Sequence, residues 1–289
     1  METLKNKIDF AVIINVKNAN PNGDPLNGNR PRVNYDGLGE ISDVCIKRKI
    51  RNRLMEAGQS VFVQSDDNKT DEHPNLRARQ LEFEKQFKIT GKDNNREGYI
   101  KAVCEKWIDV RAFGQVFAFE KKGDEQGISI GIRGPVSIHP AFSIHPVDLS
   151  SIQITKSTTN EGDGLKKTSD TMGMKHRVDH GVYVFYGSMN PQLASKTGFS
   201  EEDAETIKQA IIKLFENDVS SARPEGSMEV YKVYWWKHNS KNGQYSSSKV
   251  HRSLRVTVKP DVTEPKDISD YDLILQELPS LTPEIINGL

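Results

Sequence analysis

Ile8-Asp9-Phe10-Ala11-Val12-Ile13-Ile14-Asn15-Val16 leads into Asn18-Ala19-Asn20-Pro21-Asn22-Gly23-Asp24-Pro25. Across a polar connection follows Asp43-Val44-Cys45-Ile46-Lys47-Arg48-Lys49-Ile50-Arg51-Asn52-Arg53. The first run is short, β-branched and bounded by polar residues, which predicts a largely buried strand. The second is saturated with turn formers. Asn and Gly accept left-handed dihedrals and the prolines fix theirs, so the loop holds a definite shape. The third predicts a helix from an N-cap or first-turn Asp43 to about Met55, with Ile46, Ile50 and Leu54 on one core-facing stripe. Lys47, Arg48, Lys49, Arg51 and Arg53 wrap the rest. Like charges at helical spacing repel by a few tenths of a kcal/mol each, so they do not help the helix form. Two readings stay open. One is a solvated face. The other is a phosphate-contacting face beside a loop whose amides and Asn18, Asn20, Asn22 and Gly23 reach a nucleic-acid backbone.

Lys+Arg and Asp+Glu number 40 each in 289 residues, so a polyanion partner must be argued from local asymmetry. Residues 1–53 carry ten Lys/Arg against six Asp/Glu. A hydrophobic fraction of 35% is low for a simple globule and predicts polar insertions or burial shared with partners. No apolar run is long enough to span a membrane. The N-terminus opens straight into a strand without a signal peptide, and Cys45 and Cys104 are distant and unpaired in spacing. Both observations predict a cytoplasmic protein with reduced thiols, no metal and no membrane.

Residues 58–107 read as a helical insertion. The stretch 58–98 is highly polar, with Leu81, Phe83 and Phe87 as its few apolar anchors, and 96–107 is an amphipathic helix. Arg111 and Gln115 flank Phe113-Gly114, where a side-chain-free backbone permits close approach. Ile128, Ile130 and Ile132 alternate as a strand does, and Gly131 and Gly134 around Arg133 point to an edge or bulge carrying one exposed cation. A polar arm over 156–181 separates the strands 152–155 and 182–189. Its tip holds Thr171-Met172-Gly173-Met174-Lys175-His176-Arg177. Methionine is a flexible apolar wedge that can slip between bases while cations hold phosphates; the same arm also reads as a mobile surface hairpin. Ser200-Glu201-Glu202-Asp203 caps a helix running to about Val219, and 228–238 and 253–258 are strands. The order is an interrupted β-α-β-β-α-β plan. It predicts an α+β, ferredoxin-like or RRM-like layer of helices on an antiparallel sheet. No RNP signature occurs, so loops and the arm would have to carry RNA binding.

Six collinear stretches carry a resemblance: N-A-N-P-N-G-D-P at 18–25, D-V-C-I-K-R-K-I-R-N at 43–52, R-A-F-G at 111–114, I-R-G-P-V at 132–136, T-M-G-M-K-H at 171–176 and T-G-F-S-E-E-D at 197–203. The chain resembles the DevR-like family of CRISPR-associated proteins, the backbone subunits of type I-C Cascade complexes. The resemblance implies a hand. The palm would be 1–57, 108–155 and 182–289, the helical fingers 58–107 and the thumb hairpin 156–181. It implies copies stacked along one guide RNA (crRNA), each thumb displacing a nucleotide, with the other guide bases left to pair with target DNA. The implied partners are other copies of the chain, a guide-processing cap subunit, a large subunit and a small subunit. No cofactor is implied. The RNA contacts expected on this reading are the 18–23 loop, Lys47, Arg48, Arg51 and Arg53, then Arg111, Gln115 and Arg133, and the arm residues Thr171 to Arg177.

The rival from another class is a metal-dependent RNA endonuclease, with Asp24 near phosphates and His176 or His139 as acid or base. Against it, no two acids lie at a metal-binding spacing, Asp24 also reads as a turn-holding side chain, and guide processing belongs to a different subunit in the family resembled. His176 and His180, four apart, sit in a polar arm with Gly181, which argues against a helical zinc pair. A scaffold without nucleic acid is opposed by the basic helix.

Overall fold

The computed structural model describes residues 2–91, 95–119, 128–155 and 172–289. In chain order the elements are β1 (Ile8–Ala19), β2 (Gly23–Asp24), β3 (Arg30–Pro31), β4 (Leu38–Ile41), α1 (Asp43–Glu56), α2 (Leu76–Phe87), α3 (Arg96–Lys106) and α4 (Ile108–Phe113). There follow β5 (Gly114–Phe119), β6 (Ile128–Arg133), β7 (Val136–Ile138), β8 (Ala141–Pro146), β9 (Leu149–Thr155), β10 (Met172–Met189), α5 (Pro191–Thr197) and α6 (Glu201–Ile212). The chain closes with β11 (Met228–Lys237), α7 (Ser247–Ser253), β12 (Leu254–Val258), β13 (Tyr271–Leu275) and β14 (Glu284–Asn287).

The result is a mixed α/β protein around one large antiparallel sheet. Its strands run β14-β11-β1-β10-β8-β4, with β7 and β9 also pairing to β10. β1 lies between β10 and β11 and is covered on both faces, which is why its sequence is apolar without strict alternation. Phe10, Val12, Ile14 and Val16 face a core completed by Ile46, Ile50 and Leu54 of α1 and by Ala204, Ile207 and Ile211 of α6. Ala11 and Ile13 face the other side, against Val182, Val184, Tyr234, Trp236, Val250, Leu254 and Tyr271. The predicted α1 stripe is therefore the buried one.

Four expectations need correction. First, the 58–107 insertion has a core of its own, in which Phe62, Phe83, Tyr99, Val103, Trp107, Phe117 and Ile130 pack together, while Leu81 and Phe87 stay exposed. Phe62 and Phe83 each stand 4.7 Å from Trp107, ring to ring. Second, 108–133 does not supply strands to the large sheet. Residues 108–113 are helix α4, and β5 and β6 pair with each other as a separate hairpin whose inner side joins the core of the 58–107 insertion. Third, the strand expected over 182–189 is longer: residues 172–178 already pair with β9 in β10; 156–171, including Thr171, lie outside the described residues. Fourth, α6 ends at Ile212 and not near Val219, and Asn217 beyond it takes a left-handed conformation, φ 52°. Among the described residues no helix is long and apolar enough to cross a membrane.

Candidate nucleic-acid interface

The turn-rich loop is rigid because its own side chains hold it. Asn20 Nδ2 donates to the Asn29 carbonyl at 2.7 Å. Asn22 Oδ1 accepts from both the amide and the hydroxyl of Ser42, each at 2.9 Å, and Ser42 is the N-cap of α1. Asp24 Oδ1 accepts from the Leu26 amide at 3.2 Å and pairs with Arg32 at 3.5 Å. At Gly23 a Cβ would lie 2.0 Å from Asn29 Oδ1, so a larger residue would have to push that side chain aside. Asn20 is buried and Asn22 is turned onto the helix, which corrects the expectation that both face a ligand. Asn18 stays exposed, in a left-handed conformation with φ 56°.

The five cations of α1 are not one face. Lys49 is buried and pairs with Asp218, which Arg223 also reaches at 2.9 Å. Burial pushes the Lys49 ammonium below its ordinary range, against the opposing pull of Asp218. Arg51 pairs with buried Asp109 at 2.8 Å and lies 5.2 Å from the Phe113 ring. Arg53 is buried and bonds Glu56 at 2.6 Å. Lys47 pairs with Asp43 at 2.9 Å and is half-buried. Arg48 alone of the five is exposed and makes no ion pair with any described residue. Arg51 and Arg53 are thus drawn into the protein, Arg51 by an acid from a distant segment and Arg53 by Glu56 of the same helix.

Arg111 is likewise internal. Its Nε and Nη2 donate to the two Asp203 carboxylate oxygens at 2.9 and 2.7 Å, and Nη1 donates to the Cys104 carbonyl at 3.2 Å. Asp203 also closes the capping box of α6 with Ser200, so this bidentate pair clamps α4 to α6. The glycines nearby serve the chain itself. A Cβ on Gly114 would lie 2.3 Å from the Ile132 carbonyl oxygen, and one on Gly134 would lie 2.2 Å from that of Ala112. Gln115 is half-buried, and Arg133 is exposed with no ion pair among the described residues. Arg133 lines a groove of about 710 Å³ with Ile100, Lys101, Leu193 and Lys196. Lys101 and Lys196 were not singled out from sequence, because the cations meet there from three separate elements.

β9 and the first half of β10 form a two-stranded ribbon. Met172 lies opposite Thr155, Met174 opposite Gln153 and His176 opposite Ser151, so these side chains share a face. Ile152 and Ile154 occupy the other face with Lys175. Met172, Met174, Ile152 and Ile154 are 59, 54, 43 and 49% exposed. The methionines therefore stand on the ribbon stem. His176 is buried and hydrogen-bonds the Ser151 hydroxyl at 2.8 Å. Arg177 Nε donates to Asp179 Oδ1 at 3.3 Å, and Lys175 makes no ion pair among the described residues. Both ring nitrogens of buried His180 lack a partner, and among the described residues no group of three or more His, Cys, Asp or Glu is placed to hold a metal.

An antiparallel sheet capped by helices, with a projecting ribbon and exposed cations on several elements, defines a mixed α/β protein with an extended candidate interface and not a single closed pocket. The family described as CRISPR-associated protein Cas7 matches residues 6–276, and the chain belongs to that family. The chain is 26% identical over 232 residues to the CRISPR-associated protein Cas7 of Haloferax volcanii, covering 76% of this chain and 67% of that one. Among solved structures, it matches a chain of a pre-nicking CRISPR RNA-guided surveillance complex at TM-score 0.49 and 12% identity, covering 89% of this chain and 84% of that one. It matches a chain of another CRISPR RNA-guided surveillance complex at TM-score 0.42 and 17% identity, covering 80% and 68%.

Proposed function

We propose that this chain is the non-catalytic, guide-RNA-binding backbone subunit of a type I-C surveillance complex acting in the cytoplasm. Copies line up along one crRNA and leave its bases free to pair with target DNA. They meet the guide-processing cap, large and small subunits at their ends and flanks. The palm is a ferredoxin-like sheet: β11, β1, β10 and β8 stand in the order that a β-α-β-β-α-β plan produces, with α1 and α6 packed on one face. The fingers are the 58–107 insertion together with the β5–β6 hairpin, and the thumb grows from the β9–β10 ribbon.

The observation that carries this reading is the ribbon: 18-residue β10 runs from the middle of the sheet out to a stem with two half-exposed methionines. A sheet protein with no partner would have little use for such a surface. Binding without sequence preference calls for phosphate and 2′-hydroxyl contacts. Arg48, Arg133 and Lys175, which make no ion pair among the described residues, supply them, and Asn18 and the 18–23 amides add neutral contacts. The braces Arg51, Arg53 and Arg111 shape this surface from behind. Replacing Arg48, Arg133 and Lys175 together with Ala is expected to weaken single-stranded RNA binding equally across sequences. The salt dependence of log K should become shallower by about 2, at about 0.7 per lost phosphate contact. Unchanged affinity and slope in a filter-binding titration contradict the assignment. RNA incubated with the protein and Mg²⁺ is expected to stay intact; cleavage that disappears in Asp24→Ala overturns the non-catalytic reading.

A further inference from the structure

Tyr35 is the most exposed large hydrophobic side chain among the described residues, at 109% of its reference area, and its backbone is fixed. Asn34 Oδ1 accepts from the Asp36 and Leu38 amides, both at 2.9 Å. The Gly37 amide donates to the Asn34 carbonyl at 3.1 Å, and the Asn34 amide to the Leu38 carbonyl at 2.9 Å. Gly37 sits at φ 75°. These bonds fix the backbone that carries the ring. Single exposed apolar side chains are ordinary, but most belong to flexible positions, and this one tops a fixed support.

The support is joined to both halves of the proposed interface. The Val147 amide donates to the Gly37 carbonyl at 3.1 Å, two residues before the ribbon strand β9 begins. The Arg32 amide donates to the Asn22 carbonyl at 3.0 Å, tying the turn to the rigid loop. Residues 25–39 carry two arginines and one acid. Arg30 is exposed with no ion pair among the described residues, and Arg32 shows 37% of its side chain. An exposed ring on a hydrogen-bonded turn at the ribbon's root, with exposed Arg30 in the same segment, suits an unpaired nucleobase whose phosphate a nearby cation can meet. A second protein chain would have to cover the same cations with matching acids.

We infer that Tyr35 is a base-stacking platform for single-stranded RNA. This rests on the RNA-binding reading above and deepens it: stacking is tolerant of base identity, because every base has a π-face. The test uses the full chain and a single-stranded RNA carrying 2-aminopurine, whose fluorescence falls when it stacks. Tyr35→Phe is expected to bind and quench as wild type does. Tyr35→Ala and Tyr35→Leu are expected to bind about 10-fold more weakly, with less quenching and an unchanged salt slope, since no phosphate contact is lost. With the ring in solvent, all three are expected to melt at the wild-type temperature. Wild-type affinity and quenching in Tyr35→Ala overturn the inference and leave the RNA-binding reading standing. Normal RNA affinity with failed alignment of copies on the RNA also overturns it, by assigning the ring to a neighbouring protein. No RNA binding by wild type overturns both.

Discussion

At the scale of single residues, the arginines divide by where their acids are. Arg111 is locked by Asp203, 92 residues away, and Arg51 by Asp109, 58 residues away. Lys49 meets Asp218 across 169 residues. Sequence showed the cations of α1 and the stripe of Ile46, Ile50 and Leu54, because both depend on neighbours three and four positions away. It could not show the acids, because only the fold brings them near. Breaking a buried pair strands the partner charge, so Arg111→Ala is expected to cost about 3 kcal/mol of stability in chemical denaturation. RNA affinity of the folded fraction should be unchanged. Arg48→Ala is expected to do the reverse, with stability within about 0.5 kcal/mol and weaker RNA binding. If Arg111→Ala instead bound RNA poorly while keeping its stability, its role as a brace would be wrong.

At the scale of elements, glycine and alternation signals were legible and their purpose was not. The Ile128, Ile130 and Ile132 alternation marked a strand. The Phe113-Gly114 pair suggested close approach of something, and what approaches is the Ile132 carbonyl on the other strand of the same hairpin. Gly114→Ala, with φ 79° and an Ile132 oxygen in the way, is expected to lower the melting temperature by several degrees. The ribbon was underestimated because Met172 to Arg177 looks polar as a stretch. The residues that pair with it sit on β9, which buries none of its own, and over 172–178 only His176 and Val178 are buried, too few to give a period. Replacing Met172 and Met174 with Gly is expected to leave RNA affinity mostly intact and to alter the spacing of nuclease protection along bound RNA. An unaltered footprint would remove the methionines from the displacing role.

At the scale of the whole molecule, the sheet's second face is closed by α7 and the β12–β13 hairpin over a polar seam. Asp9, fully buried in β1, accepts from His238 at 2.8 Å and from Lys7 at 3.1 Å. Burial works to raise the Asp9 carboxyl, but the bonds from His238 and Ser247 and the Lys7 ammonium hold it below its ordinary value. In the same layer burial pushes His145, His180 and His251 below their ordinary value of 6.5. These imidazoles take protons more readily when unfolded, so their contribution to stability is complete above about pH 6.5 and is lost as pH falls toward their folded values. The melting temperature is expected to drop between about pH 7 and 5, and less so in His180→Gln. A flat profile in that window would show that these groups do not titrate differently in the two states. The strand, helix, strands, helix, strand plan was readable from sequence because it follows periodicity. The burial of β1 was readable too, from its unbroken apolar run; the elements covering its second face were not, because α7 and the β12–β13 hairpin come from the last third of the chain.

The central claim is that many copies hold one RNA by its backbone while projecting ribbons set the spacing. Treating the protein, assembled with RNA and its partner subunits, with nuclease and sizing the surviving RNA tests this most directly. The account predicts fragments of uniform length, protected at a regular interval whatever the sequence. RNA digested completely, or protected only at particular sequences, contradicts it.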